Sequence, residues 1–293
     1  MSSQPAMTAS APDFAARIAR LFVYPVKSCA GIELTEAVLT STGLDLDRAW
    51  MVVDEQGTFV SQRELPRMAL VRPQLKHHEV VLRAPGMLAL HLAIDEVAGP
   101  ARVRVWDDVV DACDMGDVAA QWFSDLLGRR LRLVRFDPQQ RRLSSLKWTG
   151  GVQAPNQFAD AFPLLVASEA SLAGLNERLA GAGRAPVGIE RFRPNIVLSG
   201  VEAHDEDRVD VLRIEADRPV AIKPVKPCAR CPIPNIDPQT GQSSPEVLDT
   251  LQGYRQDARV GGAVTFAMNA IVLEGEDAVL RVGQPVSGDW KFD

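Results

Sequence analysis

What most limits the fold of this chain is its run of short apolar, β-branched segments, each cut off by proline or glycine. Segments 16–26 (ARIARLFVYPV), 69–75 (ALVRPQL), 79–84 (EVVLRA), 87–93 (MLALHLA) and 101–113 (ARVRVWDDVVDAC) follow one another at close spacing. Segment 49–62 (AWMVVDEQGTFVSQ) reads as a hairpin turning at Gly57. Short, regular strands of this kind predict an antiparallel barrel or sandwich. One helix interrupts them over 117–128, where Ala119, Trp122, Phe123 and Leu126 recur at helical spacing and Gly128 suits the end. That stripe makes Trp122 a core residue rather than a functional one.

Residues 129–151 then carry six arginines and a lysine against one acid, Asp137. Such a run is ordinarily a solvated linker. It can also be a positive surface for a phosphate-bearing cofactor or an acidic redox partner. New elements begin beyond it, which sets the expected division: a disordered tail at 1–14, a β-barrel domain at 15–137 and a second domain at 138–293. The second part predicts a helix at 168–181, capped by Ser168 and burying Leu172, Leu175 and Leu179. Another is expected at 244–255, capped by Ser244 with Pro245 in its first turn. Strands are expected at 195–199, 211–215, 219–223, 262–273 and 277–281. Helices are too few and too scattered for a doubly wound fold, so the class is α+β and β-rich. Neither a G-x-G-x-x-G nor a Walker A motif occurs.

A net charge of −6 argues against a general nucleic-acid binder. No stretch reaches 18 apolar residues, so no membrane span is expected. The first 14 residues lack the basic start and apolar run of a signal peptide. Four cysteines in 293 residues do not make a disulfide scaffold, and they suggest free thiols in a reducing cytoplasm.

Two of those cysteines, Cys228 and Cys231, form a C-x-x-C pair inside KPVKPCARCPIPNIDPQTGQ (223–242). The pair is open to four readings. Structural zinc needs two further ligands, and none of the four histidines stands near it at ligand spacing. A redox dithiol sits at a helix N-terminus, where Pro234 is awkward. Two plain buried cysteines are common. A single thiolate on a soft metal centre, held in a proline-stiffened loop, is the fourth. Asp237 of IDPQTG suits a turn with Pro238 and Gly241 better than it suits an acid.

Five ordered blocks, YPVKSCAGIEL (24–34), DRAWMVVDEQGTFVSQRELPRMALV (47–71), FPLLVASEASLAGLNERL (162–179), RFRPNIVLSG (191–200) and CARCPIPNIDPQTGQ (228–242), resemble the signatures of the MOSC family, named for the C-terminal domain of molybdenum cofactor sulfurase. Within it the chain resembles bacterial relatives of the mitochondrial amidoxime-reducing component, over residues 15 to 293. The resemblance implies an N-terminal MOSC β-barrel domain ahead of a MOSC β-barrel domain with a few helices. It implies a molybdenum cofactor, a molybdenum-bearing pterin dithiolene, with Cys231 as the catalytic metal ligand, and no need for pyridoxal phosphate. It further implies reduction of small N-hydroxylated substrates (hydroxylamines, N-hydroxylated bases, amidoximes) to the amine or amidine. The alternative role is a cofactor carrier or sulfur-transfer protein.

By the same resemblance, Lys27, Ser28, Arg48, Arg193, Asn195, Arg230, Asn269 and the main chain around Ala161 and Phe162 hold the cofactor. Without it, Arg48 and Arg193 read equally well as surface or salt-bridged arginines. The chain departs from the pattern after the ligand cysteine, where PIPN replaces hydroxyl-bearing residues, and at FAMN (266–269). It lacks the cysteine run of an appended iron–sulfur domain, so a separate electron donor, a ferredoxin or flavin reductase, is expected.

Overall fold

The computed structural model describes residues 11–291. Seven strands close into a barrel. Around it run Leu164–Ser168, Ile196–Ser199, Phe14–Val23, Pro285–Trp290, Val209–Glu215, Pro219–Ala229 and Ala263–Glu274, and the last pairs back onto the first. The pair Leu164–Ser168 and Ile196–Ser199 is parallel, and the helix Glu169–Gly181 makes the crossover that such a pair requires. Side chains alternate as strand geometry dictates. Leu164 and Val166 join Ile18, Leu21, Ile196, Leu212 and Ile222 in the barrel interior. Leu165 and Ala167 face outward, into a cluster with Leu175, Leu179, Val247 and Leu251 of the covering helices. Each fully buried Leu or Ile contributes about 1.5–3 kcal/mol.

Strands from both sides of residue 137 build this barrel: Arg17 faces Ser199 on one edge and Pro285 on the other. Of the expected tail, residues 1–10 lie outside the described residues, whereas Phe14 opens a barrel strand and stacks on Trp290. A four-stranded sheet (Trp50–Val53, Arg132–Phe136, Asp108–Asp114, Gly99–Val105) and a three-stranded one (Arg72–Leu75, Glu79–Arg83, Leu90–Ala93) make up much of residues 50–136. The helix Asp117–Leu127 closes over them, with Trp122 and Phe123 in a core shared with Trp50. The hairpin turns at Gly57, φ +75°, and bridges Val53 to Phe59.

Several local expectations shift. Ser168 caps its helix, accepting from Ser171 N at 3.1 Å, but Leu172 is only partly buried. The later helix is shorter, Glu246–Gln252, and starts from Pro245, with no side-chain cap; the Ser244 N–H donates to the Asn235 carbonyl. The strand expected at 219–223 continues to Ala229, through two prolines. It does so because the register slips between Pro224 and Lys226 and between Pro227 and Ala229, and bulges tolerate a residue without an N–H. The basic run contains a four-residue helix, Leu146–Thr149, too short to leave a periodic signal. No helix among the described residues is long and apolar enough to cross a membrane.

Candidate functional site

The strand Pro219–Ala229 delivers Cys228 at its end, and Cys231 follows in the turn before the short helix Ile233–Asn235. Beside it, Asn269 pairs with Lys226 across the neighbouring strand and donates to the Lys226 carbonyl at 3.3 Å. All ten residues singled out from the sequence border one cleft here: Lys27, Ser28, Arg48, Ala161, Phe162, Arg193, Asn195, Arg230, Cys231 and Asn269. Its enclosed volume is about 120 Å³, or about 850 Å³ when the open mouth is included.

Three of the ten hold backbone conformations that side-chain-bearing residues avoid. Ser28, Arg48 and Arg193 have φ of +67°, +51° and +59°. Each costs about 1–3 kcal/mol, and such strain persists only where surrounding contacts impose it. Those contacts are present: Lys27 N donates to the Trp50 carbonyl (2.8 Å), Arg48 N to that of Tyr24 (2.9 Å) and Arg193 N to that of Glu190 (3.2 Å). Tyr24 is the hub. Both guanidiniums lie over its ring, at 4.3 Å for Arg48 and 4.2 Å for Arg193. Gly31 is needed for this packing, since a Cβ there would sit 2.4 Å from the ring.

Among its lining residues the cleft has five cationic side chains and one carboxylate. Lys27 is buried and donates to the Phe158 carbonyl (2.8 Å) and Asp160 (2.5 Å). Burial lowers its pKa, and Asp160 counteracts the drop. Arg48 pairs with the buried Asp47 and reaches the Arg193 carbonyl at 3.0 Å. Burial, and then the nearby Arg48 charge, pull the Arg193 guanidinium down to about 10. Arg193 Nη2 and Arg230 Nε are buried without a partner among the described residues. An anion with several acceptor oxygens would satisfy both.

The cysteines differ. Both line the cleft, but Cys228 Sγ accepts from Arg230 Nη1 at 2.8 Å, whereas Cys231 makes no hydrogen bond among the described residues. No helix of thioredoxin type starts at the pair. No group of three His, Cys, Asp or Glu side chains able to hold a metal ion by themselves exists among the described residues. Neither the zinc nor the dithiol reading has a structural basis here. Asp237 organises its turn, accepting from Gln239 N at 2.7 Å, and is anchored by Arg191.

Asn195 borders the cleft, but its side chain ties strands together. It accepts from Leu165 N (3.1 Å) and donates to the Phe22 carbonyl (3.2 Å). Phe162 is packed in a small core with Ala154 and Ile271, leaving main chain as what residues 161–162 can offer. The residue that sequence reasoning missed is Arg142, hidden in the basic run. It is buried and binds Asp108, Asn156 and the carbonyls of Gln157, Ala159 and Asp160, fixing the loop that forms one wall. Most other arginines of that run also face acids: Arg129 with Asp54, Arg130 with Glu55, Arg132 with Asp114.

Family models match the chain twice: the MOSC N-terminal beta barrel domain at residues 15–130 and the MOSC domain at 153–287. Human mitochondrial amidoxime-reducing component 1 is 35% identical over 283 residues, covering 92% of this chain and 82% of that protein. Human mitochondrial amidoxime reducing component 2 is 35% identical over 248 residues, 81% and 72% of the two chains. Bovine molybdenum cofactor sulfurase is 30% identical over 256 residues, 82% of this chain and 29% of that longer protein.

Proposed function

Because this chain belongs to the MOSC family, we propose that its cleft holds a molybdenum cofactor and that the protein reduces N-hydroxylated compounds. One feature of the cleft carries this reading: a half-buried thiol, Cys231, lines the same cleft as Arg193 and Arg230, each of which keeps a buried, unpartnered guanidinium N–H. A soft sulfur donor beside anion-seeking cations suits a cofactor that joins a thiophilic metal to a phosphate. Cys231 would supply the protein's sulfur to the metal. Lys27, Arg48, Arg193 and Arg230 would hold the phosphate and pterin, with Ser28, Asn269 and the main chain at 161–162 adding polar contacts. When bound, the group supplies two-electron redox chemistry at one atom.

The chain's own part is to orient and to neutralise. The strained turns at Ser28, Arg48 and Arg193 fix the polar groups before binding, so little ordering remains to be done. The overall change is R–NHOH + 2e⁻ + 2H⁺ → R–NH₂ + H₂O, and an amidoxime gives the amidine in the same way. Electrons would come from a separate ferredoxin or flavin reductase. The four free cysteines suit a reducing cytoplasm.

The test is turnover of hydroxylamine and benzamidoxime by cofactor-loaded protein, with reduced viologen as donor. Cys231→Ser should abolish turnover and Cys228→Ser should keep much of it. Normal turnover by Cys231→Ser refutes the assignment. Cofactor delivered to an apo-enzyme without any turnover would instead favour the carrier role.

A further inference from the structure

A second cavity, of about 290 Å³, adjoins the cationic cleft and shares Arg193 and Ile233 with it. Its volume is at the lower end of small-molecule pockets, about 300–1,000 Å³. One wall is the segment that follows Cys231, through Ile233, Ile236 and Pro238. Ile233 is two residues from the thiol and, with Arg193, lines both spaces, so these two side chains stand between the cavity and the cleft.

The polar groups around this cavity fall into two sets. Its guanidiniums each hold a partner: Arg72 on Gln239 Oε1 (2.5 Å), Arg191 on Asp237 Oδ2 (3.1 Å) and Arg193 Nη1 on the Cys29 carbonyl (2.6 Å), with Arg193 Nη2 left over. Two further side chains form neither a hydrogen bond nor an ion pair among the described residues. Gln62 is only 4% exposed, and its carboxamide has no hydrogen-bond partner among the described residues. Glu190 forms no ion pair there, although it lines the same space. Neither polar atom of the Gln62 carboxamide is among the buried unpartnered ones, so the group is available to a ligand in the cavity that it lines, in exchange for water. A carboxamide presents a donor and an acceptor side by side, which suits an edge of the same pattern on a flat ring or amidine. Glu190 adds an acceptor for a further N–H.

We propose that this cavity seats the body of the substrate. The occupant is a flat aromatic or heteroaromatic N-hydroxylated compound, its donor–acceptor edge on Gln62, its apolar face on Ile233 and Ile236, and its N–O end directed past Ile233 toward Cys231. The proposal rests on the N–O-reducing function above. It assigns selectivity between substrates to Gln62, Glu190 and Ile236, none of which borders the cationic cleft. The unusual PIPN sequence after Cys231 is then part of the specificity wall.

Two variants test it. Ile236→Trp fills the cavity, and Gln62→Leu removes the carboxamide at nearly constant volume. The first readout is the ratio of kcat/KM for benzamidoxime to that for hydroxylamine, which has no body to seat. The second is calorimetric titration of benzamidoxime into cofactor-loaded protein with no electron donor present, so that binding is read without turnover. Both variants should lower the ratio by about tenfold and raise Kd by a similar factor. An unchanged ratio and unchanged Kd in Gln62→Leu would overturn the assignment. If wild type binds benzamidoxime through the cavity but reduces neither compound, the function fails and the pocket stands. If it reduces both with no dependence on either residue, the pocket fails and the function stands.

Discussion

Replacing Arg142 with methionine keeps the aliphatic stem and removes the guanidinium from behind the cleft wall. Five hydrogen bonds end there, at distances of 2.5–3.1 Å. The ion pair with Asp108 contributes little, because that carboxylate is 52% exposed and screened. Water can reach the carbonyls of Gln157 and Asp160, which flank the exposed edge of the loop. The bonds to Asn156 and the Ala159 carbonyl are buried, so two groups are left unpaired at about 1–3 kcal/mol each. The expected loss is therefore about 4 kcal/mol. At about 2–4 °C per kcal/mol for a protein of this size, cofactor-free Arg142→Met should melt about 8–16 °C lower. Differential scanning calorimetry reads this directly. A melting temperature within about 3 °C of wild type would mean that the 156–160 loop does not depend on Arg142, and the derivation would be wrong.

Arg48→Ala and Arg193→Ala should each weaken cofactor retention about ten- to a hundredfold, read as molybdenum per chain after dialysis, because each removes charge-assisted bonds of about 1.5–3 kcal/mol. Gly31→Ala should destabilise by about 1–3 kcal/mol in urea unfolding, since its methyl group meets the Tyr24 ring. Burial pushes the Glu206 carboxyl up to about 7, against the Ser171 and Ser168 hydroxyls that donate to it at 2.6 and 2.9 Å. The folded chain then holds a proton that the unfolded chain releases near pH 4.3. That contribution is complete below pH 4 and is lost as pH rises through 7, so wild type should lose about 3 kcal/mol relative to Glu206→Gln between pH 4 and 8. Parallel unfolding midpoints for the two proteins across that range would refute it.

Much of the cleft was legible because its residues sit in contiguous motifs. YPVKS, DRAW, FRPN and CARC each place a polar group at a turn or strand end, and turns keep their geometry largely through local sequence. What stayed hidden was non-local. Arg142 gains its meaning from Asp108, 34 residues earlier, and from a loop 14–18 residues later, so within its own segment it looks like one more solvated charge. Asn195 has the right neighbours for a cofactor contact, yet its carboxamide is largely spent on Leu165 and Phe22. The strand through Pro224 and Pro227 contradicts proline's usual effect because bulges absorb both residues. Barrel closure through Phe14–Val23 joins residues more than 260 positions apart, which no local pattern encodes. Gln62 carried no signal either, since only the fold brings it to the wall of the cavity.

The central claim is that Cys231 and the cations around it hold a molybdenum–pterin group. The most direct measurement is molybdenum and pterin content, determined together on wild type and Cys231→Ser purified from a host that makes the cofactor. Wild type should contain the two in equimolar amounts with the protein, and Cys231→Ser should lose the thiolate contribution to the metal's absorption spectrum. Folded wild-type protein that carries neither molybdenum nor pterin, or a Cys231→Ser spectrum identical to wild type, would contradict the account.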